Sequence, residues 1–381
     1  MASSTSCSFK VWCAVSCALL LVTACHGLQV GYYSKTCPEA EALVRAEVKK
    51  AIHANPGIGA ALIRMLFHDC FVELWSLVSC ALLLATACHG LQVGYYSKTC
   101  PNAELLVRAA VKKAVQANPG IGAGLIRMLF HDCFVEGCDA SVLLDPTSAN
   151  PQPEKNGPPN NPSLRGFEVI DAAKSAVEKA CPGTVSCADI VAFAGRDASY
   201  LLSSGKISFH MPAGRLDGRK SLASETTKFL PGPSSNLSTL VSMFGAKGLD
   251  AEDVVVLSGA HSIGRSHCSS VTAPTPSASL ANLLSRRCPA NAPSTATVAQ
   301  DVVTTHALDN QYYKNVLAKR VLFASDDALL TSPATGRMVR ANAKFPASWE
   351  KKFAKAMVKM AAIGIKTGGE GEIRRSCRLV N

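Results

Sequence analysis

Residues 11–73 recur as residues 74–136 at a shift of 63, with 53 of the 63 positions identical. Two copies are too few for a stacked repeat, which needs at least three to bury a continuous core. Two near-identical segments also compete for one place in a single fold. Residues 28–73 are too few to build a separate core. One copy must therefore do without the packing that the other enjoys.

Each copy opens on an apolar run, Val11–Cys25 and then Leu74–Cys88. Both are about 15 residues long, short of the roughly 20 that cross a bilayer. Lys10 precedes the first run, and Ala24, Cys25 and Gly27 close it, a signal-peptide layout with cleavage expected between Gly27 and Leu28. The expected organisation is a signal peptide at 1–27, a truncated duplicate at 28–73, an internal signal-like segment at 74–90 and one large domain at 91–381. A buried core helix is the other reading of the internal run.

Net charge is +11, with a pI of about 9.0, yet no long Lys/Arg run occurs and aromatics are only 6%. That balance argues against nucleic-acid binding. A diffuse positive charge suits acidic polysaccharide, or serves solubility alone. Helical spacing predicts helices over Asn102–Ala117, Ala123–Cys133, Phe167–Lys179, Cys187–Leu202, Asn236–Lys247, Ala251–Leu257, Asn310–Val321 and Trp349–Ala362. Asn118-Pro119-Gly120 reads as a break. Few stretches alternate as strands do, so the domain reads as mainly α.

Sixteen cysteines are present, and eight of them, Cys100 to Cys377, follow the internal apolar run. An even set behind a signal peptide suggests four disulfides. No Cys-x-x-Cys pair supports zinc or covalent c-type haem. Asn236-Leu-Ser238 is an acceptor for N-glycosylation.

The chemistry concentrates in Arg127-Met-Leu-Phe-His-Asp-Cys-Phe-Val-Glu-Gly-Cys-Asp-Ala-Ser141. Arg127, Phe130 and His131 stand at i, i+3 and i+4, on one helix face. A cation beside an imidazole lowers its pKa, and a neutral imidazole can accept a proton and return it. A structural histidine is the plainer alternative. Asp132, Asp139 and Ser141 offer hard oxygen ligands suited to calcium, or ordinary turn chemistry. His261 lies between apolar Val254–Leu257 and small neighbours that would admit a flat cofactor. A haem ligand and a packed core histidine both fit that setting.

Together with Val185-Ser-Cys-Ala-Asp-Ile190, Gly214-Arg-Leu-Asp-Gly218, Leu257-Ser-Gly-Ala-His-Ser-Ile-Gly264 and Leu308-Asp-Asn-Gln-Tyr-Tyr313, these segments resemble the class III secretory plant peroxidases from about Gln92 onward. The resemblance implies an α-helical fold with haem b between a distal and a proximal half. It implies His131 as the distal acid–base residue, Arg127 as its partner, Phe130 beside the haem, and Asn160 orienting His131 with Glu154 behind. It implies His261 as the iron ligand, Asp326 as acceptor of its other ring N–H, and Pro231 at the substrate edge. Two calcium ions are implied, one at Asp132, Val135, Gly137, Asp139 and Ser141, the other at Ser262, Asp301, Thr304, Ala307 and Asp309. The implied disulfides are Cys100–Cys181, Cys133–Cys138, Cys187–Cys377 and Cys268–Cys288.

The expected function is a secreted, monomeric, hydrogen-peroxide-dependent enzyme that oxidises phenolic donors in the cell wall or the vacuole. Acidic wall polysaccharide is a further expected partner. The alternatives are a non-catalytic or misprocessed product of the duplication and a basic matrix-binding protein. The first copy runs from Glu73 into Leu74 and lacks counterparts of Gly137, Cys138 and Asp139. Function is therefore assigned to the second copy, and Arg64 and His68 are duplicates without a site. Cys268 and Cys288 lie closer than the family usually has them. Thr305 and Leu308 replace a proline and a phenylalanine often seen near the proximal calcium motif.

Overall fold

A computed structural model of the protein describes residues 36–66, 90–274 and 277–381. The expected signal peptide and its expected cleavage point, most of the internal apolar segment, and His68 and Cys70 of the first copy lie outside the described residues. The chain divides into two units, Met1–Cys88 and His89–Asn381.

In the first unit, α1 spans Ala40–Ala54 and buries no residue. A second helical stretch covers residues 57–66. Cys37 is exposed and unpaired.

The second unit is helical around a main core, with a smaller apolar cluster of Leu280, Val298 and Leu322. Helix α2 (Ala103–Ala117) is the duplicate of α1, and it buries Ala103, Val107, Val111 and Val115. The matching residues of α1 are Ala40, Val44, Val48 and Ile52. Val44 is 65% exposed where Val107 is 0%. The stripe is core in α2, while in α1 Val44 is exposed and Ala40, Val48 and Ile52 are half-buried, because α2 meets α4 (Phe167–Ala180) and α5 (Cys187–Leu202).

Helix α3 (Pro119–Phe134) carries the distal motif and packs along α5. The expected break ends α2 at Ala117, but the next helix starts earlier than the expected Ala123. Asn118 Oδ1 accepts from Gly120 N at 2.9 Å and Pro119 takes the first helical position. An Asn cap with proline at N1 is a start signal, so the helix begins four residues before Ala123. Close approach of α3 and α5 needs Gly195, where a Cβ would lie 2.9 Å from Leu129 Cδ2.

Helix α6 (Ala223–Phe229) and α7 (Leu237–Gly245) follow, the latter capped by Asn236. Helix α8 (Ala251–Ser258) starts on a capping box of Asp250 and Asp253 and delivers the chain to His261. Two three-residue strands, β1 (Arg265–His267) and β2 (Thr297–Ala299), pair antiparallel with Ser266 opposite Val298. Between them lies α9 (Ala278–Arg287). Helices α10 (Gln311–Leu317), α11 (Ala324–Asp327), α12 (Pro333–Lys344) and α13 (Pro346–Met360) complete the unit. Trp349 of α13 is fully buried, donates to Val256 O at 3.2 Å and so fastens α8.

Four disulfides join Cys100–Cys181, Cys133–Cys138, Cys187–Cys377 and Cys268–Cys288. Two of the sequence motifs act as internal ties. Asp189 accepts from Arg215 Nη1, Tyr96 Oη and Gly214 N, each at 2.7 Å. Asp217 accepts from the backbone N–H of Cys187, Ala188 and Arg374, which pins the start of α5 to the chain's end.

Candidate active site

Arg127, Phe130 and His131 sit on α3, with His131 buried and the other two half-buried. Asn160 is brought in from the loop after α3. His131 Nδ1 lies 2.5 Å from Asn160 Oδ1, and Asn160 Nδ2 donates to the main-chain carbonyl of Glu154 at 2.7 Å. The amide nitrogen is thereby committed to Glu154, so Asn160 Oδ1 accepts and His131 Nδ1 carries the proton. The other ring nitrogen, Nε2, keeps its lone pair. Glu154 supports Asn160 through its backbone carbonyl and not through its carboxylate.

Burial, and then the Arg127 charge, hold the His131 ring well below the ordinary histidine value, against the opposing bond from Asn160. Burial pulls Arg127 down to about 10, which leaves it charged at neutral pH. Arg127 donates to Pro159 O at 2.7 Å and to Ser163 Oγ at 3.0 Å.

His261 has the opposite setting. Its Nδ1 lies 2.8 Å from Asp326 Oδ1 on α11. Burial pulls the ring down, but the Asp326 charge and hydrogen bond outweigh it and the value ends above the ordinary one. Arg127 also lowers it, so one guanidinium acts on both histidines. His261 lies deep in the fold, yet 39% of its side chain is accessible. One histidine with a proton-free nitrogen and one carboxylate-backed, partly accessible ring, both within the influence of Arg127, are residues of the kind that would hold an iron porphyrin.

The oxygen ligands cluster at the end of α3. Asp132 accepts from Ala140 N at 2.9 Å and Asp139 Oδ1 from Ser141 N at 3.0 Å. Asp139 Oδ2, Ser141 Oγ and both Glu154 carboxylate oxygens are buried without a hydrogen-bond partner. Burial and then Asp139 push Asp132 well above the carboxylate range, and burial and then Asp132 do the same to Glu154. Such a set suits a hard divalent cation. Gly137 shapes the loop at φ 108, where a side chain would run into Gly364 O. The Val135 carbonyl already accepts from Lys247 Nζ at 3.0 Å.

The second set is more self-contained. Thr304 Oγ1 lies 3.3 Å from Asp301 Oδ2 and 3.1 Å from Asp309 Oδ1, while Ser262 Oγ accepts from Asp309 N at 3.2 Å. Ala307 N donates to Thr304 O at 2.9 Å. Burial raises Asp309 first, and nearby Asp301 adds to it. Pro231 is half-buried in the loop after α6, and neighbouring Pro233 O ties that loop to Thr272 and Ser325.

The peroxidase family model matches residues 107–344. This chain belongs to the plant haem peroxidases of class III. It is similar to Peroxidase 2 of Zea mays, 60% identical over 313 residues, which cover 79% of this chain and 93% of that protein. Peroxidase 1 of Zea mays is 50% identical over 319 residues (79% and 86%). Peroxidase P7 of Brassica rapa subsp. rapa is 44% identical over 298 residues (76% and 100%). Peroxidase activity on hydrogen peroxide with a donor substrate, and haem as cofactor, follow from membership. Neither alternative function draws support from these matches.

Sequence reasoning attached no role to Tyr312, although it quoted the motif that contains it. The buried Tyr312 hydroxyl donates to Asp326 Oδ1 at 2.7 Å. No helical spacing could have signalled this contact, since Asp326 arrives from a separate helix.

Proposed function

We propose that one centre, built by the second copy, performs the peroxidase reaction with Arg127, His131 and Asn160 on the peroxide side and His261 as the iron ligand. The carrying observation is the pair of histidines, one bonded to Asn160 at 2.5 Å and the other to the Asp326 carboxylate at 2.8 Å. His131 Nε2 takes a proton from peroxide and passes it to the departing oxygen, so that water leaves. Asn160 fixes the tautomer this needs. Arg127 stabilises the negative charge that grows on that oxygen. Asp326 holds the His261 ring and gives it anionic character, and Phe130 flanks the cofactor. Haem b, when bound, supplies the iron that accepts two oxidising equivalents and returns them to donors singly. Phenolic molecules are the donors, and Pro231 marks the edge they approach.

Calcium binds at Asp132, Val135, Gly137, Asp139 and Ser141, supported by the unpartnered oxygens there. A second ion is proposed at Ser262, Asp301, Thr304, Ala307 and Asp309. The protein is read as a secreted monomer acting in the wall or vacuole, with its +11 charge suited to acidic polysaccharide. Among the described residues, no helix is long and apolar enough to cross a membrane.

The test is His131→Ala. Haem is expected to remain bound, while the second-order rate with peroxide falls about 10²–10⁴-fold. A rate equal to the parent's would remove His131 from the mechanism.

A further inference from the structure

Asp326 receives two donors on one oxygen. His261 Nδ1 lies 2.8 Å from Oδ1 and Tyr312 Oη lies 2.7 Å from the same atom. Tyr312 and Asp326 are each 2% accessible, so neither bond is exchanged for water. The Tyr312 ring also stands edge-on to the His261 ring, with centroids 6.1 Å apart. The chain entering α10 is anchored beside His261 as well, since Asp309 N donates to Ser262 Oγ at 3.2 Å. The stretch from Asp309 to Tyr312 thus grips the histidine from its sequence neighbour and from its carboxylate partner.

Hydrogen bonds to an ionised carboxylate are strong because they draw on its charge. Two donors on one oxygen share that charge, and each weakens the other. We propose that Tyr312 is a positioning residue for the proximal ligand, which competes with His261 Nδ1 for Asp326 Oδ1 and so limits the anionic character that Asp326 confers on the histidine. This rests on His261 being the iron ligand. Without Tyr312 the ring would become the richer donor, and the ferric state would gain relative to the ferrous one.

The experiment uses the haem-loaded full chain and Tyr312→Phe, which keeps the ring and removes the hydroxyl. Two quantities are read: the ferric/ferrous reduction potential and the iron–histidine stretching band of the ferrous protein. The expected result is a shift of about tenfold toward the ferric form, about 59 mV more negative for one electron, with the stretching band moved to higher frequency. A potential that is unmoved or more positive, with the band in place, overturns the role of Tyr312. If neither protein shows an iron–histidine band, the ligand assignment of His261 is what has failed. Should Tyr312→Phe not take up haem, 3-fluorotyrosine at position 312 keeps the packing and strengthens the donor. A potential raised above the parent's supports the proposal, and an unchanged one rejects it.

Discussion

Arg127 and His131 lie one helical turn apart, and their separation sets the chemistry of both. The rate with peroxide requires neutral His131, so it falls as pH drops through that group's folded value. Burial and the Arg127 charge keep that value well under the ordinary one. Arg127→Leu removes the second cause, and the acid limb of the pH–rate profile is expected to move to higher pH, besides a loss of rate. An acid limb at the parent's position would show that burial alone sets the ring. The Arg127–His131 pair was legible in the sequence because i, i+4 spacing puts two residues on one face. Asn160 and Asp326 were not, except by family resemblance. They lie 29 and 65 residues from the histidines they touch, and only tertiary closure brings them there.

Helices with an apolar stripe could be read to within a residue or so, as for α4 and α5. Helix α12 was missed because its inner face is Thr335, Gly336, Val339 and Asn342, with a single apolar side chain among them. Helix α9 sets Leu280, Leu283 and Leu284 at i, i+3 and i+4, but fully buries only Leu280, and a stripe of three residues in ten is a short signal. The end of α3 carries the sharper consequence. Asp132 and Glu154 have folded values above their unfolded ones, so the folded state holds protons that the unfolded chain has released. For such groups stability is lost as pH rises from the ordinary carboxylate range through the folded value. Chelator-treated protein is therefore expected to melt at lower temperature as pH increases across that window. Added calcium should flatten the dependence, because the cation takes the place of the protons. Melting scans with and without chelator check this; parallel curves would dissociate the cluster from calcium.

The molecule carries one stripe twice, buried in α2 and never fully buried in α1. Exposed Leu43 and Val44 offer apolar surface that a soluble chain does not normally leave open. Residues 91–381 alone are expected to bind haem and turn over like the full chain, and to sediment as a monomer where the full chain self-associates. Loss of haem binding on removing residues 1–90 would show that the first copy contributes to the fold. The duplication itself was plain in the sequence. Which copy is packed follows from the chain after Glu136, since only the second copy runs on into the loop that α3 needs. That loop is also fastened from far away. Arg374, fully buried, donates to the carbonyls of Asp139 and Ala140 at 3.3 and 2.7 Å, and Cys187 waits for Cys377. A ribosome making this protein has finished every catalytic residue while the clasp that holds them is still unmade. The nascent chain must keep α3 and its carboxylates from settling wrongly until Arg374 and Cys377 have emerged, so completion of the site lags far behind the synthesis of the residues that compose it.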